Sequence, residues 1–576
     1  MKRDLGRLSS TQFDLVIIGG GIFGACAAWD AALRGLSIAL VERGDFSQAA
    51  SANCFKFIHG GLRYLQHGDL ARVRESSRER QALLRIAPHL ARPIPIAIPT
   101  YGHGRQSKAL LRAALGVYDL LTMDRNRGLT DFGSRIPAGH FLSRAGCLAM
   151  FPGLHREGLT GAAVFHDAQI YSPARLVLAF LHSAAGEGAA IANYVEATGF
   201  RLDGNRVSGV YATDGPTGRS LEIRGRVVLN AAGPWAERLL ARDLGLTLRR
   251  QLTFSRDAYF LVRRRLETDH ALAVQARTKD PDALLSRGHR HLFLAPWRDY
   301  TLIGVWHTVY RDDPDRCTVT GRDLQGFLDE INAAYPSLGL APDDVLLWGA
   351  GLVLFGDNAP GATHLSYGKR SVIIDHRAEH GLEGLISLIG VRYTTARGVA
   401  ERAVNAVFKR LGRVPPPSMT AVTPVEGGRI ERFDPYVQEA IAQRPESITP
   451  ETMKALIRNH GTEHRAILRY LRAAPALARS LEGSTVLQAE VLHAVREEMA
   501  QKLADVVFRR TDLGTGGHPG EAALRTCAEL MAAELGWDAR RVQRELEEVE
   551  GAYPHRRVGD GEPADVRSPD ATAHAV

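Results

Sequence analysis

DLVIIGGGIFGACAAWDAALRGLSIALVE, residues 14–42, holds two short apolar runs separated by a stretch of small and apolar residues. Residues 14–18 (DLVII) and 37–42 (SIALVE) lack the alternation of a half-exposed strand and read as parallel strands buried on both faces. Residues 22–34 predict a tightly packed helix between them, which makes a β-α-β unit. Gly19-x-Gly21-x-x-Gly24 lies at the strand-to-helix turn, and Glu42 closes the second strand 18 residues after Gly24. Each residue type has a physical reason. Gly19 permits the tight turn, Gly21 lets the backbone approach a pyrophosphate, and Gly24 lets helix and strand pack closely. The helix N-terminus offers unpaired N–H groups to the anion, and Glu42 can accept hydrogen bonds from ribose hydroxyls. Strand, glycines, helix and acidic residue stand in register, which argues against an empty glycine-rich turn; NAD and FAD both remain open on this motif.

Outward from this unit, NRVSGVYA within 205–212 and LEIRGRVVLN at 221–230 predict a hairpin leading into a buried strand, so the class is α/β with a mixed-sheet middle. RVPPPS at 413–418 breaks the chain before a helical region over 435–550, seen in AILRYLRAAPALARSL, LQAEVLHAVREEMAQKLADVVFRR and EAALRTCAELMAAEL. The expected organisation is an oxidoreductase region over 1–412, a linker over 413–434, a helical domain over 435–550 and a disordered tail over 551–576. Within 1–412, cofactor-binding parts are placed at about 13–100, 155–245 and 370–412, and substrate or cap parts at about 101–154 and 246–369.

A chain of 576 residues with 45% apolar composition exceeds one ordinary core. Its net charge of +8 suits an anionic partner: a phosphorylated substrate, an anionic lipid surface or nucleic acid. The basic residues are spread without a basic-aromatic recognition run, which argues against nucleic acid. Five scattered cysteines without C-x-x-C spacing give neither a disulfide framework nor a zinc site and point to a reducing, cytoplasmic setting. No stretch approaches the roughly 20 consecutive apolar residues of a membrane span, and MKRDLGRLSSTQFD carries no long apolar run, so neither export nor a membrane span is expected.

The run after Glu42 narrows the cofactor. SANCFKFIHGGLRY, Ser51 to Tyr64, with Leu65 following, resembles the flavin-side segment of flavoprotein glycerol-3-phosphate dehydrogenases, which ends in HGGLRYL. RVVLNAAGPW (226–235), GLISLIGVRYTTAR (384–397) and AEVLHAVREEMAQKLADVVFRRTDLG (489–514) are similar to later segments of the same family, so the resemblance reaches from about residue 13 to about residue 550. It implies FAD on a Rossmann-type domain of the glutathione-reductase/D-amino-acid-oxidase kind, with an inserted mixed-sheet substrate domain and a C-terminal helical domain. The implied cofactor residues are Gly19, Gly21, Gly24, Glu42, Arg43, Ser51, Lys56, Gly60, Gly61, Leu62, Ala232, Gly233, Trp235, Gly390 and Thr394. Glycines 60 and 61 would let the backbone lie against the flavin ring, Lys56 and Arg63 would place positive charge near it, and the helix opened by Gly390 and Thr394 would face its electron-rich edge.

The implied reaction is oxidation of sn-glycerol-3-phosphate to dihydroxyacetone phosphate by hydride transfer to flavin, with electrons passed to a quinone, or to oxygen as in some relatives. It needs a base for the hydroxyl proton and cations for the phosphate. Arg63 and Arg392 supply planar cationic forks, and His59 and His307 are the base candidates. The family pattern also breaks. Its Lys-Gly-Ser-His segment is Phe254-Ser255-Arg256-Asp257 here, its Gly-Val-Arg-Pro-Leu is Gly351-Leu352-Val353-Leu354-Phe355, and its Thr-Thr-Asp is Val305-Trp306-His307. Arg392 stands where the family carries lysine. Arg256, Asp257 and His307 are expected to rebuild a different polar pocket, and a different hydroxy or amino compound stays open as substrate. A flavoprotein that keeps FAD for folding alone is a third reading. GRQSKALLRAALGVYDLLTMDRNRG (104–128) has the make-up of a membrane-surface helix on the inner face of the cell membrane, and equally of a helix packed on its own domain. A homodimer, and no metal, complete the expectations.

Overall fold

The computed structural model describes residues 1–102, 108–248, 253–279, 289–355, 370–553 and 565–566. Gln12–Ile18 forms the expected first strand, running parallel to Ile38–Val41 on one side and to Ser220–Asn230 on the other. Leu385–Ile389 continues the parallel sheet beyond Ser220–Asn230, and Ala190–Ala192 continues it beyond Ile38–Val41. Leu15, Val16 and Ile17 are fully buried, as strands covered on both faces must be. The expected hairpin is present: Arg206–Asp214 pairs antiparallel with Ser220–Asn230. Helices Ile22–Leu33, Pro173–Gly186 and Ala396–Arg410 pack together, and Ala25, Ala28, Ala31 and Ala32 on the first of them permit close approach.

A second, nine-stranded mixed sheet stands beside the first, in the order Val345–Phe355, Thr253–Val262, Tyr300–Tyr310, His289–Trp297, Ala271–Lys279, Ala91–Tyr101, Leu159–Ile170, Phe57–Ile58, with His140–Ser143 on Leu159–Ile170. Its strands at 57–58, 91–101 and 159–170 come from segments that the sequence reading places with the cofactor-binding parts. One chain stretch therefore crosses from the nucleotide fold into the cap sheet directly after Lys56.

Residues between Arg410 and Phe433 contain no helix or strand, and helices from Phe433–Ala442 to Ala539–Glu550 follow. The run at 487–510 reads as helical throughout, yet the structure interrupts it. Gln488–Glu498 stops at Met499, whose φ is +57, and Leu503–Asp505 runs into a π-helical turn at Val506–Arg510. That wide turn sends two consecutive side chains, Arg509 and Arg510, into the same buried contact with Asp45. Of the expected tail, 554–564 and 567–576 lie outside the described residues; Asp565–Val566 pairs with Val319–Thr320.

Candidate cofactor and substrate site

The nucleotide turn has the geometry its glycines require. Gly19 has φ +109, and a Cβ there would stand 2.6 Å from the Ala231 carbonyl oxygen, while a Cβ on Gly24 would run into the Gly19 carbonyl oxygen. Gly21 caps Ile22–Leu33, and the Ser51 hydroxyl accepts from the Ile22 N–H at 3.0 Å. Ser51 thus lies at the helix N-terminus where a pyrophosphate is favoured. Glu42 accepts from the N–H groups of Gly20 (2.7 Å) and Gly44 (3.0 Å). Burial raises its pKa, and those two N–H groups oppose the rise. Arg43 stacks over Trp235 at 4.3 Å, and both donate to Asp315 of the second sheet's side. Ala232 and Gly233 (φ +57) make the turn before Trp235.

The HGGLRY segment is held by residues that the sequence reading missed. Asp167, on Leu159–Ile170, accepts from the Gly60 N–H at 2.6 Å and from Arg80 Nη1 at 2.8 Å, and it meets His59 Nδ1 at 3.2 Å. A Cβ at Gly60 would collide with Arg80 and the Tyr118 hydroxyl. Gly61, with φ +91, starts the short 3-10 helix Leu62–His67 that carries Arg63, and Leu62 packs against the core beneath the cap sheet. The Thr394 hydroxyl accepts from the His59 N–H at 3.1 Å, which ties this segment to the last turn of the nucleotide fold. Gly390 is pressed against the ring of Phe23, so no side chain fits there. Arg392 donates to Glu75 (2.7 Å) and Ser76 (3.0 Å) and lies 5.2 Å from the ring of Tyr64, the neighbour of Arg63.

Lys56 is buried and turns into a cavity it lines with Tyr259, Trp297, Arg298 and Phe508. Its ammonium donates to the Tyr259 hydroxyl at 2.9 Å, and burial lowers its pKa to about 8.

The expected trio on the cap sheet separates. Asp257 and His307 meet across adjacent strands, Oδ1 to Nδ1, at 2.7 Å. Arg256 points through the other face, pairs with Asp323 at 2.7 Å and donates to the Thr318 carbonyl. Consecutive strand residues point to opposite faces, so Arg256 leaves the pocket proposed for it.

Comparison with known proteins matches this arrangement. A family model described as FAD dependent oxidoreductase matches residues 14–401, and one described as the C-terminal domain of alpha-glycerophosphate oxidase matches 418–542. The chain is 30% identical to a glycerol-3-phosphate dehydrogenase of Mycobacterium leprae over 97% of its own length and 91% of the relative's. The chain belongs to the FAD-dependent glycerol-3-phosphate dehydrogenase family. A Synechocystis glycerol-3-phosphate dehydrogenase is 28% identical, with 95% of this chain and 97% of the relative covered. The X-ray structure of the Bacillus halodurans glycerol-3-phosphate dehydrogenase complexed with FAD superposes with a TM-score of 0.74 at 26% identity, covering 95% of each chain. This family member is an FAD-dependent oxidoreductase. The glycine cradle, the N-terminus of helix Ile22–Leu33 and Glu42 fit this cofactor by their chemistry. Among the described residues no helix is long and apolar enough to cross a membrane.

Proposed function

We propose that the chain oxidises sn-glycerol-3-phosphate to dihydroxyacetone phosphate, with electrons leaving to a quinone. The observation that carries this reading is the pair of arginines at the HGGLRY segment: Arg392 lies over the ring of Tyr64, which follows Arg63 in sequence, and the His59 N–H donates to the Thr394 hydroxyl. Arg63 and Arg392 bind the phosphate in this reading, and Gly60 and Gly61 let the HGGLRY backbone turn where a side chain would meet Arg80, Tyr118 and Val73. Bound FAD supplies the hydride acceptor. A peripheral membrane position is part of this reading. Helix Lys108–Leu121 buries Leu115 and Tyr118 but leaves Leu120 and, just past its end, Met123 exposed at 65% and 71%, as an interfacial helix requires.

A second reading, a different hydroxy or amino compound as substrate, is favoured by the Arg392 to Glu75 contact, which offsets the charge that a phosphate would need. The two are separated by coupling purified holoenzyme to a soluble quinone analogue and measuring product. Dihydroxyacetone phosphate formed from sn-glycerol-3-phosphate at a saturable rate supports the first. Turnover with an unphosphorylated hydroxy or amino compound alone supports the second.

A further inference from the structure

We propose that the cavity around Lys56 binds a small organic carboxylate, at a site apart from the two arginines invoked above and whatever the substrate of the oxidation. Its walls come from the segment after Ser51, from the second sheet, from the first turn of helix Pro173–Gly186 and from the C-terminal region at Phe508, Arg509 and Thr515. None of His59, Arg63 or Arg392 lines it. Its empty volume of about 600 Å³ lies in the range of small-ligand sites.

One cation of this wall has no counterion. Lys56 is 7% exposed, and its ammonium donates to the Tyr259 hydroxyl at 2.9 Å, with the ring centres of Tyr259 and Trp297 at 4.3 and 4.9 Å. An ammonium carries three N–H donors, so a single hydroxyl leaves two of them for a ligand. Among the described residues no Asp or Glu lines the cavity or bears on the charge of Lys56. The other two cations are already neutralised. Arg298 pairs with Asp512 and donates to Thr515 at 2.7 Å, and Arg509 donates to Asp45 and Asp505 at 2.6 and 2.7 Å. A buried charge is costly until it is paired, and the two aromatic rings offset only part of that cost for Lys56.

Further donors stand around the same space. Arg298 Nε and the Trp348 indole N–H are buried without an acceptor among the described residues. In the first turn of helix Pro173–Gly186, Pro173 has no N–H and the Ser172 hydroxyl accepts from the Arg175 N–H at 3.3 Å. That leaves the Ala174 N–H without a partner inside the helix, at the end where the helix dipole favours negative charge.

The two halves of the wall define the ligand class. Donors in excess of acceptors require a ligand group that only accepts and carries negative charge. Leu261, Leu302, Leu347 and Phe508 make the remainder apolar, which suits a hydrocarbon tail and does not replace the hydration of chloride or inorganic phosphate. A carboxylate on a short alkyl chain meets both demands. Binding also changes the protonation of Lys56. Burial holds its pKa at about 8, and an adjacent carboxylate raises it. The ligand therefore draws a proton onto Lys56 above pH ~8 and draws none well below that value. The titratable groups around the ammonium are Cys54, Tyr259, Arg298 and Arg509.

The test is calorimetric titration of FAD-loaded protein with butyrate, butyramide, chloride and phosphate, in wild type and Lys56→Met, with FAD content as the folding control. Butyrate is expected to bind wild type saturably. Butyramide to wild type, and butyrate to Lys56→Met, are expected to bind at least about 10-fold more weakly. A second measurement needs no variant: heats of butyrate binding in buffers of different ionisation enthalpy are expected to show proton uptake at about pH 8.5 and none at about pH 6.5. Undiminished butyrate binding in FAD-loaded Lys56→Met, or no proton uptake at the higher pH, overturns the proposal. Binding by apoprotein but not by holoprotein means that FAD fills the cavity, and overturns it too. Chloride or phosphate binding as tightly as butyrate refutes the carboxylate class. Displacement of butyrate by sn-glycerol-3-phosphate assigns it to the substrate's arginines instead. Failure of sn-glycerol-3-phosphate to reduce the flavin sinks the substrate reading and leaves each of these outcomes as it stands.

Discussion

Asp45 and Arg510 form a bidentate ion pair at 2.6 and 2.7 Å with both side chains fully buried, joining the nucleotide fold to the C-terminal helices across 465 residues of sequence. Arg509 adds a third contact to the same carboxylate at 2.6 Å and a fourth to Asp505 at 2.7 Å. Asp45 is three residues past Glu42, so the helical domain grips the base of the segment that carries Ser51 and Lys56. Removing one partner of such a cluster leaves an uncompensated buried charge. Asp45→Asn is therefore expected to destabilise the protein by about 3–5 kcal/mol and to lower its FAD content. Urea unfolding followed by flavin and tryptophan fluorescence checks both.

The same pair sets an acid limit. Burial raises the Asp45 carboxyl, but Arg510 and Arg509 outweigh it and hold the pKa at about 2. A folded pKa below the unfolded value of about 3.9 contributes stability that is present above pH ~4 and lost as pH falls toward 2, on the order of 2 kcal/mol. Other carboxylates titrate in this range, so the readout is a difference: the stability gap between wild type and Asp45→Asn is expected to shrink from pH 5 to pH 2.5.

Gly24→Ala drives a methyl into the Gly19 carbonyl oxygen, backbone that cannot move aside without opening the turn. Holoprotein is expected to be lost, with apoprotein of lower melting temperature. Gly21→Ala meets only the Ser51 hydroxyl at 3.0 Å, so it is expected to weaken FAD binding while keeping the fold. Equilibrium FAD titration of the two variants distinguishes these outcomes.

For the arginines proposed to bind phosphate, Arg392→Met is expected to raise KM for sn-glycerol-3-phosphate by about 10- to 100-fold, the worth of one or two charge-assisted hydrogen bonds. Glu75→Gln is expected to lower it by releasing Arg392 from its 2.7 Å partner. Steady-state kinetics on the two variants checks the opposite signs; equal KM values in wild type and Arg392→Met would remove Arg392 from the site.

The nucleotide turn was legible because its pattern is local: Gly19, Gly21, Gly24 and Glu42 lie within one β-α-β unit, with Gly24 pressed on the Gly19 carbonyl and Glu42 accepting from the Gly20 N–H. What the sequence hides is contact between distant segments. Asp167 and Arg80 hold Gly60 from 107 positions away and 20 positions away, and no spacing announces them. Arg509 and Arg510 are invisible as partners of Asp45 for the same reason, and the π-helical turn that aims both departs from the helical period that the pattern suggested. Arg256 is different. The alternation of a strand already forbids neighbours 256 and 257 from lining one pocket, and that signal was available at the level of residue order. The partnership of Asp257 with His307 needed the register of the two strands.

The most direct test of the account is anaerobic addition of sn-glycerol-3-phosphate to the purified yellow protein while the flavin absorbance is followed. Prompt bleaching, with dihydroxyacetone phosphate formed in one-to-one proportion to flavin, is the expected result. A flavin that stays oxidised with sn-glycerol-3-phosphate but bleaches with an unphosphorylated hydroxy or amino compound would contradict the proposed substrate.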